Sequence, residues 1–391
     1  MNVNQRILVL LAVQPSVSHY RAPFVRALLE QPDIEFELVG RINRGAGATS
    51  DPLVASDDIL TRVTALRRMH LFRALFWDRG LVTAVRRTSA AAIVIEGNVY
   101  GLSNWVAIGV ARIRQRHVVL WGHAWKRPER GVKLVLRRFF YGLADGHLTY
   151  GEWAPAYAGS VGLDSSTFMP VFNSIYQSDL IAMQTPRNAR PSVEGALSLI
   201  YSGRLTPRHR VHQAIEAVCA LNDKGHDVRL TIVGDGPEST RLTELAGDTT
   251  RVAFLGAVYD SAVLGQLYAE ADFALSPGAT GLNVIQALGF GVPVIAASGD
   301  PQSGPEVEAV EDGVTGVLYA SRDASAGLER TILRAINMRD ESYAELSAKG
   351  LQIVAARYTS EAQAAAVNVA LAQLLTDARK LGADAGPNDR A

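Results

Sequence analysis

Cysteine is almost absent: Cys219 stands alone among 391 residues, which excludes an internal disulfide framework and any zinc site built from several thiolates. It lies in an apolar helical pattern with Ile215 and Val218 and reads as a small packing residue, not a nucleophile. Excess charge of either sign is also absent. Lys+Arg and Asp+Glu are 39 each, a balance that points away from nucleic acid as a partner and from an acidic scaffold. The neutrality conceals an asymmetry, because residues 1–180 hold 21 basic against 14 acidic side chains and the remainder 18 against 25. An unbroken apolar span is lacking too. The longest uncharged run, Phe273 to Ser298, is punctuated by Pro277, Gly278, Gly281, Gly289, Gly291 and Pro293 into strand, loop, helix and strand. The opening run Ile7–Val13 reads better as a first buried strand than as a signal peptide. No transmembrane helix is expected, and the chain reads as cytoplasmic. No His pair at helical spacing and no carboxylate-rich cluster suggests a metal.

What is present is an alternation of short apolar runs with helical patterns. With 48% hydrophobic and 20% charged residues, the composition is globular and the length suits two domains. The strands expected in the first half are Ile7–Val13, Glu35–Val39, Ala92–Ile95, Val118–Trp121 and His147–Tyr150. Those in the second are Leu197–Ser202, Arg229–Val233, Val252–Leu255, Phe273–Ser276, Val294–Ala297 and Gly316–Tyr319. Continuous Val/Ile/Leu runs with helices between them imply parallel sheets covered on both faces, hence an α/β fold of two doubly wound domains. The expected division is 1–183, a Pro- and Arg-bearing linker 184–195, and 196–358. A closing Ala-rich helix, 360–378, opens on a capping box of Ser360 and Gln363, and 380–391 reads as a disordered tail.

Two loops carry the chemistry. The strand ending at Ser202 runs into Gly203-Arg204-Leu205-Thr206-Pro207-Arg208-His209-Arg210, a glycine and a row of cations where open α/β sheets bind ligands. Arg204 can fork onto phosphate oxygens with two parallel hydrogen bonds. On that segment alone, a solvated basic turn weighs equally. Further on, Ser276-Pro277-Gly278-Ala279-Thr280-Gly281-Leu282-Asn283 leads into a helix bearing Gln286. Glycines let backbone approach a ligand, and the amides opening a helix attract anions. Two phosphate-compatible loops at one sheet edge outweigh the structural alternative.

Together with His19-Tyr20-Arg21-Ala22-Pro23-Phe24, Gly122-His123, Val233-Gly234-Asp235-Gly236-Pro237, Phe254-Leu255-Gly256 and Glu311-Asp312-Gly313-Val314-Thr315-Gly316, these segments resemble the retaining GT-B glycosyltransferases of group 1, family 4. The resemblance covers nearly the whole chain. It implies two Rossmann-like domains facing a cleft, with the C-terminal one holding a nucleotide-sugar donor and the N-terminal one a glycan or lipid-linked acceptor. The final helix is then expected to pack back on the first domain. Arg204, after Gly203, matches the family's diphosphate-gripping arginine. The lysine expected five residues later is His209, with Arg208 and Arg210 as stand-ins. Gly281, Leu282 and Asn283 match the amides that receive the distal phosphate, and His123 matches a histidine near the donor sugar or acceptor. The family's paired glutamates fall on Gly278 and Gln286; Gln286 can still bond a ribose diol, whereas Gly278 has no side chain. Glu306 and Glu308 are the nearby carboxylates. His19, Tyr20 and Trp125 are the acceptor-side candidates. No metal or other cofactor is implied, and surface-polysaccharide or glycoconjugate assembly is the usual setting. The rival readings are a nucleotide-sugar epimerase of the same build and a non-catalytic binding partner.

Lys126–Phe140 mixes six cations with Val132, Leu134, Val135, Leu136, Phe139 and Phe140. Either the apolar face packs on the sheet or the helix lies on an anionic bilayer through Lys126, Arg127, Arg130, Lys133, Arg137 and Arg138. The basic excess of this half favours peripheral membrane attachment.

Overall fold

The structure, a computed structural model, describes residues 6–13, 16–17, 21–42, 57–188 and 196–384. The chain divides into two compact units, Met1–Ser174 with Ser360–Ala391, and Ile175–Thr359.

The first unit is built on β1 (Ile7–Val13), β2 (Ile34–Arg41), β3 (Val63–Phe72), β4 (Leu75–Arg79), β5 (Ala92–Glu96), β6 (His117–Gly122), β7 (Gly146–Thr149) and β8 (Phe168–Pro170). Their order in the sheet is β4-β3-β2-β1-β5-β6-β7-β8. Every pairing is parallel except β3–β4, an antiparallel hairpin. The second unit uses β9 (Leu197–Ser202), β10 (Val228–Val233), β11 (Val252–Phe254), β12 (Phe273–Ser276), β13 (Val294–Ser298) and β14 (Gly316–Ala320). They form one parallel sheet in the order β11-β10-β9-β12-β13-β14. Val9, Leu10 and Leu11 of β1 are completely buried, as strands covered on both faces require. In each sheet the order reverses beside the first strand, between β1 and β5 and between β9 and β12, which places a ligand crevice at those carboxyl ends.

The first unit ends at Ser174, not at 183. Beyond it, the Tyr176 ring meets Phe290 edge-on at 5.8 Å and its hydroxyl donates to the Gln286 carbonyl at 2.9 Å. Part of the expected linker is likewise fastened to the second unit, Arg187 donating to the carbonyls of Tyr268 and Ala269 at 3.0 and 2.9 Å. The closing helix, Ser360–Asp384, runs past 378, so 380–384 are helical; 385–391 lie outside the described residues. Its Ala364, Val367, Ala370, Leu371 and Leu375 join the first unit's core. The expected capping box does not form. Gln363 instead donates to the Phe172 carbonyl at 2.7 Å and accepts from Ser174 Oγ at 2.7 Å, while Ser360 Oγ is buried without a partner.

Candidate functional site

At the end of β9 the chain is strapped to the loop after β10. The Gly203 N–H donates to Val233 O at 2.9 Å and the Leu205 N–H to Asp235 O at 3.0 Å. The contact needs glycine: a Cβ on Gly234, whose φ is +144°, would lie 1.8 Å from the Gly203 carbonyl oxygen. Leu205 is buried as the anchor and Arg204 beside it is exposed. Tyr201 donates to the Arg204 carbonyl at 2.9 Å, and burial holds that phenol well above its usual pKa, so it remains a donor.

The four basic side chains of this loop separate into two kinds. Arg210 is bound inward, ion-paired to the buried Asp300 at 3.1 Å and donating to Ser321 Oγ at 2.9 Å. His209 places Nδ1 2.8 Å from Thr206 Oγ1. Burial, then the charges of Arg208 and Arg204, push its pKa down to about 4. It is therefore neutral near pH 7 and does not replace a lysine's charge, and Arg210's charge is already matched. Arg204 and Arg208 are the exposed cations of the loop.

The second loop lies directly against the first. The Ala279 N–H donates to Arg208 O at 2.9 Å, and a Cβ on Gly278 would meet that oxygen at 2.5 Å and the His209 carbonyl carbon at 2.6 Å. Gly278 thus stands where two backbones touch, and a glutamate has no room there. The loop is held from its other side by Ser303 Oγ, which accepts from the Thr280 N–H at 3.0 Å, and by the Gly304 N–H, which donates to Thr280 O at 2.6 Å. Glu306 is buried on the Pro305–Ala309 turn with Oε2 packed on Gly304; Glu308 is half-buried on the same turn.

The helix Leu282–Gly289 begins at this loop. Of the three amides expected to meet phosphate, Gly281's already donates to Asn283 Oδ1 at 3.0 Å. Leu282 and Asn283 remain as first-turn N–H groups, which lack intrahelical acceptors. Gln286 is half-buried, and its Oε1 accepts from Ser202 Oγ and from Tyr268 Oη, both at 3.3 Å. Tyr176, Tyr268 and Ser202 thus hold this residue in place, a role not read from the sequence. Ser202, next to Gly203, was within reach of sequence reasoning; the tyrosines, distant along the chain, were not.

In the first unit, His123 follows Gly122 at the end of β6 and stands edge-on to Tyr150 at 5.0 Å. Burial, Lys126 and Arg21 push its pKa down to about 3, and its Nδ1 is buried without a partner. It can act as a neutral hydrogen-bonding group. Trp125 offers no sugar-stacking face: it is 3% exposed, among Tyr141, Tyr157 and Phe168. His19 and Tyr20 lie outside the described residues. Among the described residues no group of three His, Cys, Asp or Glu is placed to hold a metal ion.

Residues 196–338 match the family model described as glycosyl transferases group 1. A GDP-mannose-dependent alpha-(1-6)-phosphatidylinositol dimannoside mannosyltransferase of Mycobacterium tuberculosis is 35% identical over 102 residues, 25% of this chain and 26% of the relative. The chain thus spans about a quarter of the length of that curated relative. Among solved structures, the apo lipopolysaccharide outer core galactosyltransferase WaaB superposes with a TM-score of 0.67 at 15% identity, covering 94% of this chain and 99% of that one. Anabaena Alr3699/HepE in complex with UDP gives 0.61 at 18% identity, covering 94% and 100%. The fold is that of the GT-B glycosyltransferases.

Proposed function

We propose that the chain, whose residues 196–338 match the family model of glycosyl transferases group 1, moves a sugar from a nucleotide-diphosphate donor to an acceptor hydroxyl with retention. The observation that carries this reading is the meeting of two loops at the second sheet's switch point. There the loop bearing the exposed Arg204 and Arg208 is bonded, Ala279 N–H to Arg208 O, to the loop that opens the helix with the first-turn amides of Leu282 and Asn283. Gln286 on that helix is fixed by Ser202 and Tyr268. As the glycosidic bond breaks, charge builds on the diphosphate, and preorganised cations and amides stabilise that charge. The diphosphate needs no metal on this reading, since Arg204, Arg208 and the amides meet its charge. The leaving phosphate then takes the acceptor proton, so attack comes from the face it leaves. UDP in HepE and the GDP-mannose dependence of the mycobacterial relative make hexose nucleotides the donors to try first.

Thermal melting with a panel of nucleotide sugars tests the reading: the true donor at a hundredfold excess over its Kd adds about 2.7 kcal/mol. NMR of the product linkage is expected to show the donor's anomeric configuration. An inverted centre would rule out the phosphate-as-base step.

We also propose that the protein attaches peripherally to anionic membranes while assembling a surface polysaccharide or glycoconjugate on a glycan or lipid-linked acceptor. Among the described residues no helix is long and apolar enough to cross a membrane. The helix Gly131–Gly142 turns its apolar stripe outward, with Val132 84%, Val135 65%, Leu136 44% and Phe139 62% exposed. Only its Phe140 and Tyr141 are buried, so the stripe does not pack on the sheet. Lys126, Arg127, Arg130, Lys133 and Arg138 are exposed nearby. Arg137 leaves the set, since it is ion-paired to Glu129 at 3.0 Å and donates to the Ala124 carbonyl at 2.6 Å. At about 1 kcal/mol per cation, the double change Lys133→Ala with Arg138→Ala weakens binding to anionic vesicles about 30-fold. Liposome flotation checks this; equal flotation on neutral lipid counts against the electrostatic part.

A further inference from the structure

The first sheet has a switch point of its own, where β1, β2 and β5 end together at Val13, Arg41 and Glu96. A cavity of about 20 Å³ opens there, lined by Val13, Arg41, Asp78, Glu96 and Asn104 among others. That is room for one water-sized group. The polar inventory around it is specific. Arg68 forks onto Asp78 at 2.8 and 2.7 Å, bonds Glu96 as well, and stacks on Phe76 at 3.5 Å, fixing both carboxylates. Asn104 is completely buried, and its Nδ2 donates to the carbonyls of Glu96 and Asn98 at 2.9 and 3.1 Å. Its Oδ1 is buried without a partner. The cavity is therefore lined by an unmatched acceptor residue, Asn104, and by a cationic one, Arg41. Two arginines and two carboxylates cancel, so an anion gains no net attraction.

A group that fits must be small, neutral, and able to donate and accept at once. We propose that this cavity is a subsite for a hydroxyl of a polyhydroxylated, uncharged acceptor, which donates to Asn104 Oδ1 and accepts from Arg41. That the occupant is an acceptor hydroxyl rests on the glycosyl-transfer reading. The site makes the first unit select neutral sugar rings over phosphorylated ones.

Saturation-transfer NMR on the full chain tests this with methyl glucoside, galactoside and mannoside, and with UDP and GDP in a separate arm. At least one glycoside is expected to bind, and inorganic phosphate is not expected to displace it. Arg41→Gln should weaken glycoside binding about tenfold, the scale of one charge-assisted hydrogen bond, and leave nucleotide binding unchanged. Ala12→Val, which adds two methyl groups to the cavity wall and leaves the charged network alone, should abolish glycoside binding in the same way. Nucleotide binding without any glycoside binding would show that the cavity holds only water, and the proposal fails by itself. Displacement by phosphate, or variants that bind glycosides like the parent, overturns it equally. If nucleotides fail to bind as well, the transfer reading falls along with it.

Discussion

Arg204→Ala is expected to lower kcat on the order of 100-fold, the cost of removing one donor that stabilises charge in a transition state. Arg204 is exposed at the end of β9, on a loop held by two backbone hydrogen bonds and by the Tyr201 hydroxyl. A fork onto a leaving diphosphate tightens as charge develops, so its removal reduces turnover and not merely affinity. Arg204→Lys recovers part, because an ammonium cannot reproduce the planar fork. Arg208, the other exposed cation of the loop, is expected to give a smaller loss. His209→Gln should do least, since that ring is already neutral near pH 7 with a pKa of about 4. Gln286→Ala is expected to raise KM, the signature of losing a contact to ribose hydroxyls that change little during reaction. Steady-state kinetics on variants that melt like the parent separates these outcomes. A folded Arg204→Ala enzyme within a few-fold of the parent would place the donor diphosphate elsewhere.

Placing a glutamate where the resembled glycosyltransferases carry one, by Gly278→Glu, is expected to abolish activity rather than raise it. The obstacle is the first side-chain carbon, which would sit 2.5 Å from Arg208 O and 2.6 Å from the His209 carbonyl carbon. Both are backbone atoms, so relief requires the two loops to part, which misplaces Arg208 and breaks the Ala279–Arg208 bond. Overpacking of this kind costs about 3 kcal/mol, and in a unit of this size that lowers Tm by about 6–12 °C. Gly278→Ala should fall nearly as far, because the clash begins at Cβ. Gly281→Ala is the control: a Cβ there meets nothing within 4 Å. Differential scanning calorimetry decides the matter, and a Gly278→Ala protein that melts with the parent would show that the loops are not in contact in solution.

The two parallel sheets were legible because buried strands such as Ile7–Val13 and Leu197–Ser202 are nearly uninterrupted Val, Ile and Leu. The hairpin of Val63–Phe72 and Leu75–Arg79 was not, because arginines and His70 interrupt its apolar residues. Arg68 becomes admissible inside the fold only through Asp78 and Glu96, a pairing that local sequence does not show. The short Phe168–Pro170 strand has too few residues to show a pattern. At the two candidate loops, the glycines and cations announced themselves at strand ends. Which cations remain exposed did not, since Arg210's partner Asp300 lies on a distant loop. Trp125 misled for the same reason: its place after a strand suggested a platform, while Tyr141, Tyr157 and Phe168 converge on it only in three dimensions.

The chain leaves the first unit at Ser174 and re-enters it at Ser360, so the second unit is an insertion within the first. The Ser174–Gln363 and Phe172–Gln363 hydrogen bonds, and the apolar face of the closing helix, join segments that emerge from the ribosome far apart in time. The first unit's core stays incomplete until the closing helix is made, whereas the inserted unit has its last strand by Ala320. The inserted unit is therefore expected to complete its fold before the first unit does. Truncation before Ser360 is expected to leave the inserted unit folded and the N-terminal sheet prone to aggregate through its uncovered face.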